Sequence, residues 1–148
     1  MPVIVLCLLT SNKNHLFCLL ATFSCFQYKC IMAITKETFR TLIHEGQEEI
    51  RDVELYNRPF DFEENGRYVL VGVRQAGKSY MLYKRARQMM EAGYQLEDMV
   101  YINFDDERLM GMKADELDLI LQAYQSVYNH VPVLFFDEIQ NVESWEHF

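Results

Sequence analysis

The stretch GVRQAGKSY, from Gly72 to Tyr80, constrains the fold of this chain more than any other part of the sequence. In it, two glycines enclose four residues, and a lysine and a serine follow directly. The preceding run RYVLVG is short, β-branched and apolar, which predicts a buried strand. The following residues, up to Ala92, carry an apolar stripe at helical spacing. A strand that passes through such a loop into a helix is typical of a phosphate-binding loop, which we call the glycine loop.

The residue types of the glycine loop suit phosphate. Glycines let the backbone curl so that successive N–H groups point at one anion, and the helix adds the positive end of its dipole. Lys78 is expected to reach the β- and γ-phosphates of a nucleotide, and the Ser79 hydroxyl to coordinate Mg²⁺. A chance Gly-rich turn is the alternative, and the strand before the loop and the helix after it argue against that. We assign no role to the side chains of Arg74 and Gln75, because such side chains more often point to solvent.

A second motif, VLFFDE, places two carboxylates after four apolar residues. Asp137 would then lie at the carboxyl end of a strand, where the ligands of open parallel sheets gather, and would hold Mg²⁺ through water. Glu138 could orient and polarise the water that attacks a γ-phosphate. An Asp-Glu pair alone would more often cap a helix or lie in a solvated loop. Together with the glycine loop, it predicts a nucleotide site.

A competing acidic cluster, Asp105–Glu107, also follows a predicted strand. Its favoured interpretation is the capping and solvation of a turn, since Asp and Glu commonly serve there. Arg108 stands next to the cluster and is expected to pair with it locally.

Helix and strand patterns alternate along the chain, which predicts an α/β fold with a parallel sheet flanked by helices. Thr35 is expected to cap the first helix, and a loop with Pro59 and Gly66 follows that helix. After the loop we expect a strand at 67–72, a helix at 78–92, a strand at 99–104, a helix at 114–128 and a strand at 131–136.

The first 31 residues differ from the rest in composition, because they hold all four cysteines and almost no charge. Their two apolar runs, Val3–Leu9 and Leu16–Phe23, are shorter than the ~20 residues of a membrane-spanning helix. A secretory signal would have a positive charge before the first run and small residues at a cleavage point. A signal or anchor is therefore the weaker alternative. The favoured interpretation is an extension outside the fold, ahead of a start at Met32.

The chain is accordingly divided into an apolar extension (1–31), a helix with its lead-in loop (32–66) and an incomplete nucleotide-binding domain (67–148). A formal net charge of −8 argues against a broad nucleic-acid surface. The basic residues Lys84, Arg85 and Arg87 are expected on the solvated face of a helix. The absence of cysteine after Cys30 indicates a cytoplasmic protein without a disulfide framework.

The motifs GVRQAGKSY, YINFDDERL and LFFDEIQNVESWEHF together resemble the AAA-type P-loop ATPases of bacteria and archaea, over about Tyr56 to Phe148. The resemblance implies a P-loop NTPase fold with ATP and Mg²⁺ as cofactors. It implies Lys78 and Glu138 as catalytic residues, and Ser79 and Asp137 as the residues that hold the metal. The residues expected to bind the nucleotide are those of the glycine loop: Gly72, Val73, Arg74, Gln75, Ala76, Gly77, Lys78, Ser79 and Tyr80.

The sequence departs from that family at its end, ten residues after Glu138. In the family, a γ-phosphate-sensing strand, an arginine that acts in trans and a helical lid come later. That strand usually inserts between the acidic strand and the glycine-loop strand. We therefore expect a sheet truncated after the acidic strand (Walker B), with its central strand missing, unpaired edges and marginal stability.

Mg²⁺-dependent ATP hydrolysis is the favoured function. The alternatives are a nucleotide-binding switch without turnover and an inactive fragment of a longer ATPase. A small-molecule phosphotransferase is disfavoured, because the Asp-Glu pair suits water activation and no acceptor-binding motif follows it. The expected partner is ATP, with self-association or a protein partner implied by the resemblance. Neither nucleic acid nor a stable membrane span is indicated.

Overall fold

The computed structural model describes residues 4–9, 34–56, 59–60, 62–63 and 66–147, the first range by its backbone alone. Within these ranges, four strands form one sheet, and α-helices cover both of its faces. None of the helices described is long and apolar enough to cross a membrane. In chain order the elements are β1 (Ile4–Leu9), α1 (Lys36–Asp52), β2 (Tyr68–Gly72), α2 (Lys78–Glu91), β3 (Met99–Asn103), α3 (Asp118–Gln125) and β4 (Val133–Asp137).

The four strands are parallel and lie in the order β2-β1-β4-β3. In the register, Leu9 pairs with Gly72 and Asn103 pairs with Asp137. The strand before the glycine loop and the strand before the acidic pair therefore end at the same edge of the sheet, where ligands of such sheets bind. This confirms the predicted parallel α/β sheet.

The position between β2 and β4 is occupied by β1, so the expectation of a missing central strand is wrong. The expectation that the first residues lie outside the fold is likewise wrong for Ile4–Leu9. The physical reason is that β2 and β4 each present unpaired backbone groups on facing edges, and an uncharged, β-branched run can pair with both at once. The rest of the extension, including the boundary at Met32, lies outside the described residues and stays a prediction.

The first helix begins as the sequence predicts. Thr35 has extended backbone angles, and its hydroxyl oxygen accepts a hydrogen bond from the Thr38 N–H at 3.3 Å. The predicted helix at 114–128 is shorter in the structure, because a 3₁₀ turn at Ala114–Glu116 precedes α3. That turn is held by its own cap, in which the Lys113 N–H donates to the Glu116 carboxylate at 2.9 Å.

Each face of the sheet has its own apolar core, which explains why β3 and β4 read as continuous apolar runs. On one face, α1 and α3 cover Val100, Ile102, Leu134 and Phe136. On the other face, α2 covers the alternate residues of the same strands, Met99, Tyr101, Val133 and Phe135. The glycine loop leads into α2, which covers the second of these faces.

The two edges of the sheet differ in their protection. At β3, the Gln47 side chain of α1 donates a hydrogen bond to the Met99 carbonyl at 3.1 Å, and Gly46 lies against the Tyr101 carbonyl. At β2, no described element pairs with the outer edge, and the Val69 and Val71 side chains are 55% and 59% exposed. The helix therefore protects one edge strand, while the other remains open within the part of the chain described here.

The expectation that the basic residues of α2 lie on a solvated face is wrong for one of them, which is buried. Arg85 is 5% exposed, and its guanidinium carbon lies 5.5 Å from the centre of the Phe62 ring. Arg87 donates a hydrogen bond to the Ile50 carbonyl at 3.1 Å. Long basic side chains can bury their stems against apolar surface, so periodicity alone did not separate this arrangement from a solvated face.

Candidate functional site

The glycine loop has the backbone conformation of an anion-binding turn. Gln75 and Gly77 have positive φ angles of 59° and 80°, and Gly77 is the N-cap of α2 without a side-chain cap. A left-handed residue next to right-handed ones brings successive N–H groups into one concave surface, and the helix dipole adds to their positive charge. The glycine is needed here because its φ would strain any other side chain.

The predicted phosphate lysine is held inside this loop. Lys78 is only 9% exposed, and its Nζ donates a hydrogen bond to the Val73 carbonyl at 3.1 Å. Its ammonium group therefore lies over the loop. A phosphate oxygen would be a stronger acceptor for it than the carbonyl, because its negative charge adds Coulombic attraction to the hydrogen bond.

The first acidic residue is buried at the end of β4. Asp137 is 2% exposed, and each of its carboxylate oxygens accepts a hydrogen bond. Its Oδ1 accepts the Glu138 N–H at 3.0 Å, and its Oδ2 accepts the Tyr101 hydroxyl at 3.1 Å. These two donors fix the orientation of the carboxylate at the edge of the sheet that carries the glycine loop.

The second acidic residue has a strained backbone. Glu138 has a φ of 54°, in the left-handed region, which costs a residue with a side chain about 1–3 kcal/mol. Its Oε2 accepts a hydrogen bond from the Gln140 side-chain amide. The other amide atom of this residue, the Gln140 Oε1, is buried without a hydrogen-bond partner. A strained backbone and an unpaired buried polar atom are both common at functional sites.

A cavity of about 390 Å³ brings the two motifs together. The predicted residues Lys78, Ser79 and Glu138 all line it, as does Gly77. Asp137 is not in the lining but lies directly before Glu138 and in register with Asn103. The complete lining is Arg74, Gln75, Gly77, Lys78, Ser79, Asp105 and Glu138.

The other predicted nucleotide-binding residues do not line this cavity. Gly72 is the last residue of β2, the Val73 carbonyl accepts the Lys78 hydrogen bond, and Ala76 lines a neighbouring cavity. The Tyr80 ring stacks on Tyr56 at a centroid distance of 6.4 Å, and its hydroxyl donates to the Tyr56 carbonyl. Tyr80 therefore contacts the segment before β2.

One residue of the cavity was not expected. Asp105 was interpreted as part of a solvated turn, yet it lines the cavity beside Glu138. Its N–H donates to the Asn103 side chain at 3.0 Å, and its Oδ1 accepts from the Asn141 amide at 3.3 Å. The signal available in the sequence was its place just after a strand, since neighbouring parallel strands bring such residues to one edge.

The rest of the acidic cluster behaves as predicted. Arg108 pairs with Asp106 at 2.7 Å and with Glu45 of α1 at 2.5 Å. The hydrogen bonds from Arg108 hold the pKa of Asp106 and that of Glu45 below their usual values. This group ties the turn after β3 to α1, outside the cavity.

Two tyrosines connect the acidic strand to the helices, and sequence reasoning assigned neither to the site. Burial, and then the charge of Asp137, raise the pKa of Tyr101 well above its usual value. The Tyr83 ring of α2 packs against the Tyr101 ring, with 4.9 Å between the ring centroids. The Tyr83 hydroxyl donates a hydrogen bond to the Glu49 carboxylate of α1 at 2.9 Å. Burial also raises the pKa of Tyr83. Both phenols thus stay protonated and remain hydrogen-bond donors.

The residues present fit a magnesium–nucleotide complex better than a metal site in which every ligand is a protein side chain. Within the described ranges, no group of three or more His, Cys, Asp or Glu side chains could hold a metal ion. Mg²⁺ usually takes one or two protein ligands together with phosphate oxygens and water. A hydroxyl at Ser79 and a fixed carboxylate at Asp137 match that preference.

The chain is similar to a known protein family and to proteins of two organisms. The family model described as "AAA domain" matches residues 64–148. An uncharacterized protein of Methanocaldococcus jannaschii is 36% identical over 115 residues, which cover 76% of this chain and 25% of that protein. An uncharacterized protein of Haemophilus influenzae is 29% identical over 79 residues, which cover 53% of this chain and 20% of that protein. The chain thus spans about a quarter or less of these relatives' length. No solved structure matches it.

Proposed function

Because the chain belongs to the family of AAA domains, a family of P-loop ATPases, we propose that it binds ATP and hydrolyses it with Mg²⁺. The observation that carries this proposal is the shared cavity, which joins Lys78 and Ser79 of the glycine loop to Glu138 after the acidic strand. A simple anion site would need the loop alone. A carboxylate opposite the phosphate-binding lysine is what the attack of water requires.

In the proposed reaction, the loop N–H groups and Lys78 bind the β- and γ-phosphates. Ser79 and Asp137 would hold Mg²⁺, which would neutralise phosphate charge. Glu138 orients the attacking water toward the γ-phosphorus and accepts a proton from it. The water oxygen bonds to the γ-phosphorus as the bond to the β–γ bridging oxygen breaks, and ADP leaves. The Glu138 carboxylate can do this after its hydrogen bond from Gln140 is released or shared with the water.

A nucleotide-binding switch without turnover is the second candidate, and the contact of Gln140 with Glu138 favours it. The amide donates to the Oε2 of the glutamate and so occupies a lone pair that would accept the proton of water. If this contact persists with ATP bound, the chain would bind nucleotide and release little phosphate.

A second cavity, of about 530 Å³, adjoins the glycine loop and provides room for a nucleobase. It shares Gly77 and Lys78 with the first cavity, so one molecule could reach both. Its other walls are largely apolar and include Phe60 and Met81. We propose that the base of ATP packs there, since apolar and aromatic walls commonly hold the flat part of a ligand.

Replacing Lys78 by Ala is expected to weaken ATP binding at least about tenfold, because a charged hydrogen bond contributes about 1.5–3 kcal/mol. Isothermal titration of ATP with and without Mg²⁺ measures this. Lys36→Ala is the matched control, since Lys36 is exposed at the start of α1. Equal ATP affinity in Lys78→Ala and the control would overturn the assignment of the glycine loop.

A further inference from the structure

The Tyr101 hydroxyl donates a hydrogen bond to the Asp137 carboxylate at 3.1 Å. The bond runs between neighbouring strands, from the middle of β3 to the last residue of β4. Tyr101 is 3% exposed and Asp137 is 2% exposed, so water does not readily replace either partner. A bond at this depth can fix the carboxylate in one orientation.

We propose that Tyr101 is a positioning residue for the magnesium carboxylate, an inference that rests on the proposed function above. Its hydroxyl holds Oδ2 of Asp137, and the Glu138 N–H holds Oδ1. The carboxylate plane is then set before metal and nucleotide arrive, with the remaining lone pairs free to face a water of the Mg²⁺ shell. Donors to metal-binding carboxylates have this function in many metal sites.

The surroundings of Tyr101 hold its ring in place. The ring packs against Tyr83, whose own hydroxyl donates to Glu49 and so anchors this second ring to α1. On the backbone side, Gly46 of α1 lies against the Tyr101 carbonyl. The tyrosine is therefore fixed from α1 and α2 as well as from its own strand, which a surface hydroxyl would not be.

The test is the affinity of the full chain for Mn²⁺, used as a paramagnetic substitute for Mg²⁺, in the presence of a non-hydrolysable ATP analogue. Tyr101→Phe keeps the ring and removes the donor, and we expect Mn²⁺ affinity to fall about 10- to 100-fold by electron paramagnetic resonance. Affinity for the analogue in EDTA is expected to stay unchanged. Tyr124→Phe is the matched control, because its buried ring also carries a bonded hydroxyl, to the Glu97 carbonyl and to His130.

The outcomes separate this inference from the proposed function. If the unsubstituted chain binds no nucleotide in EDTA or with Mn²⁺, the proposed function fails and this inference fails with it. If the chain binds nucleotide and Tyr101→Phe keeps the Mn²⁺ affinity of the Tyr124→Phe control, the inference alone is overturned. Should Tyr101→Phe not fold, 4-fluorophenylalanine at position 101 fills more of the space of the hydroxyl and still removes the donor. Mn²⁺ affinity equal to that of the Tyr124→Phe control would then also overturn the inference.

Discussion

Glu138→Gln is expected to lower the rate of phosphate release about 10²- to 10⁴-fold while ATP binding remains. Glutamine has nearly the same shape as glutamate but cannot accept the proton of an attacking water. The backbone strain at this position, with its φ of 54°, is the same for both residues, so the substitution isolates the chemistry of the carboxylate. Loss of the negative charge near the phosphates is expected to strengthen ATP binding, because it removes a like-charge repulsion.

A single-turnover assay of phosphate release, with ATP affinity measured in parallel, checks this expectation. Glu146→Gln is the control, since Glu146 is an exposed glutamate of the same segment outside the cavity. A slow but equal release in the variant, the control and the unsubstituted chain would contradict the role of Glu138 and favour the switch without turnover. Release that falls only in Glu138→Gln would exclude that switch.

Gly46→Ala is expected to destabilise the fold, although alanine normally stabilises the middle of a helix by about 1 kcal/mol relative to glycine. A Cβ at Gly46 would lie 2.2 Å from the Tyr101 carbonyl oxygen and 3.1 Å from its carbonyl carbon. These are backbone atoms of β3, an edge strand that is hydrogen-bonded to β4, so either α1 or β3 must move. Overpacking of this kind costs about 1–3 kcal/mol.

Thermal unfolding measures this effect, and a loss of about 2 kcal/mol would lower the midpoint by roughly 4–8 °C in a domain of this size. Thr41→Ala is the control on the exposed face of α1, where we expect a change of no more than about 0.5 kcal/mol. A stabilised Gly46→Ala variant would mean that α1 does not pack along β3 as described. Because the contact is with Tyr101, the variant is also expected to weaken Mn²⁺ binding.

The glycine loop and the acidic strand could be predicted because both are local patterns, in which the spacing of a few residues determines the backbone. Lys78, Ser79 and Glu138 were accordingly expected in one site, and they line one cavity. The turn at Asp105 is exposed, as the sequence predicts, but the place of Asp105 in the cavity depends on two strands being neighbours. The length of the third helix was overestimated because capping contacts, not apolar spacing, decide where it begins.

The central strand and the buried tyrosine could not be predicted from the same kind of pattern. The run Ile4–Leu9 has a composition that fits a buried strand, a signal or an extension equally, and its partners are β2 and β4, far along the chain. The role of Tyr101 follows from the register that sets it opposite Phe135, two residues before Asp137. The periodicity of each strand does not show which of its residues pair with which residues of the other strand.

The position of β1 also sets an order in which the domain can form during synthesis. Of the four strands of this sheet, β1 is made first and must wait for β4, because Ile4 pairs with Leu134. Until then β3 has no partner strand in the sheet, and β1 has only its β2 side filled. Closing so long a loop carries a large entropic cost, and such non-local pairing folds slowly. The nascent chain therefore holds an apolar strand with at least one free edge until β4 is made, and in that interval aggregation or binding by a chaperone competes with folding.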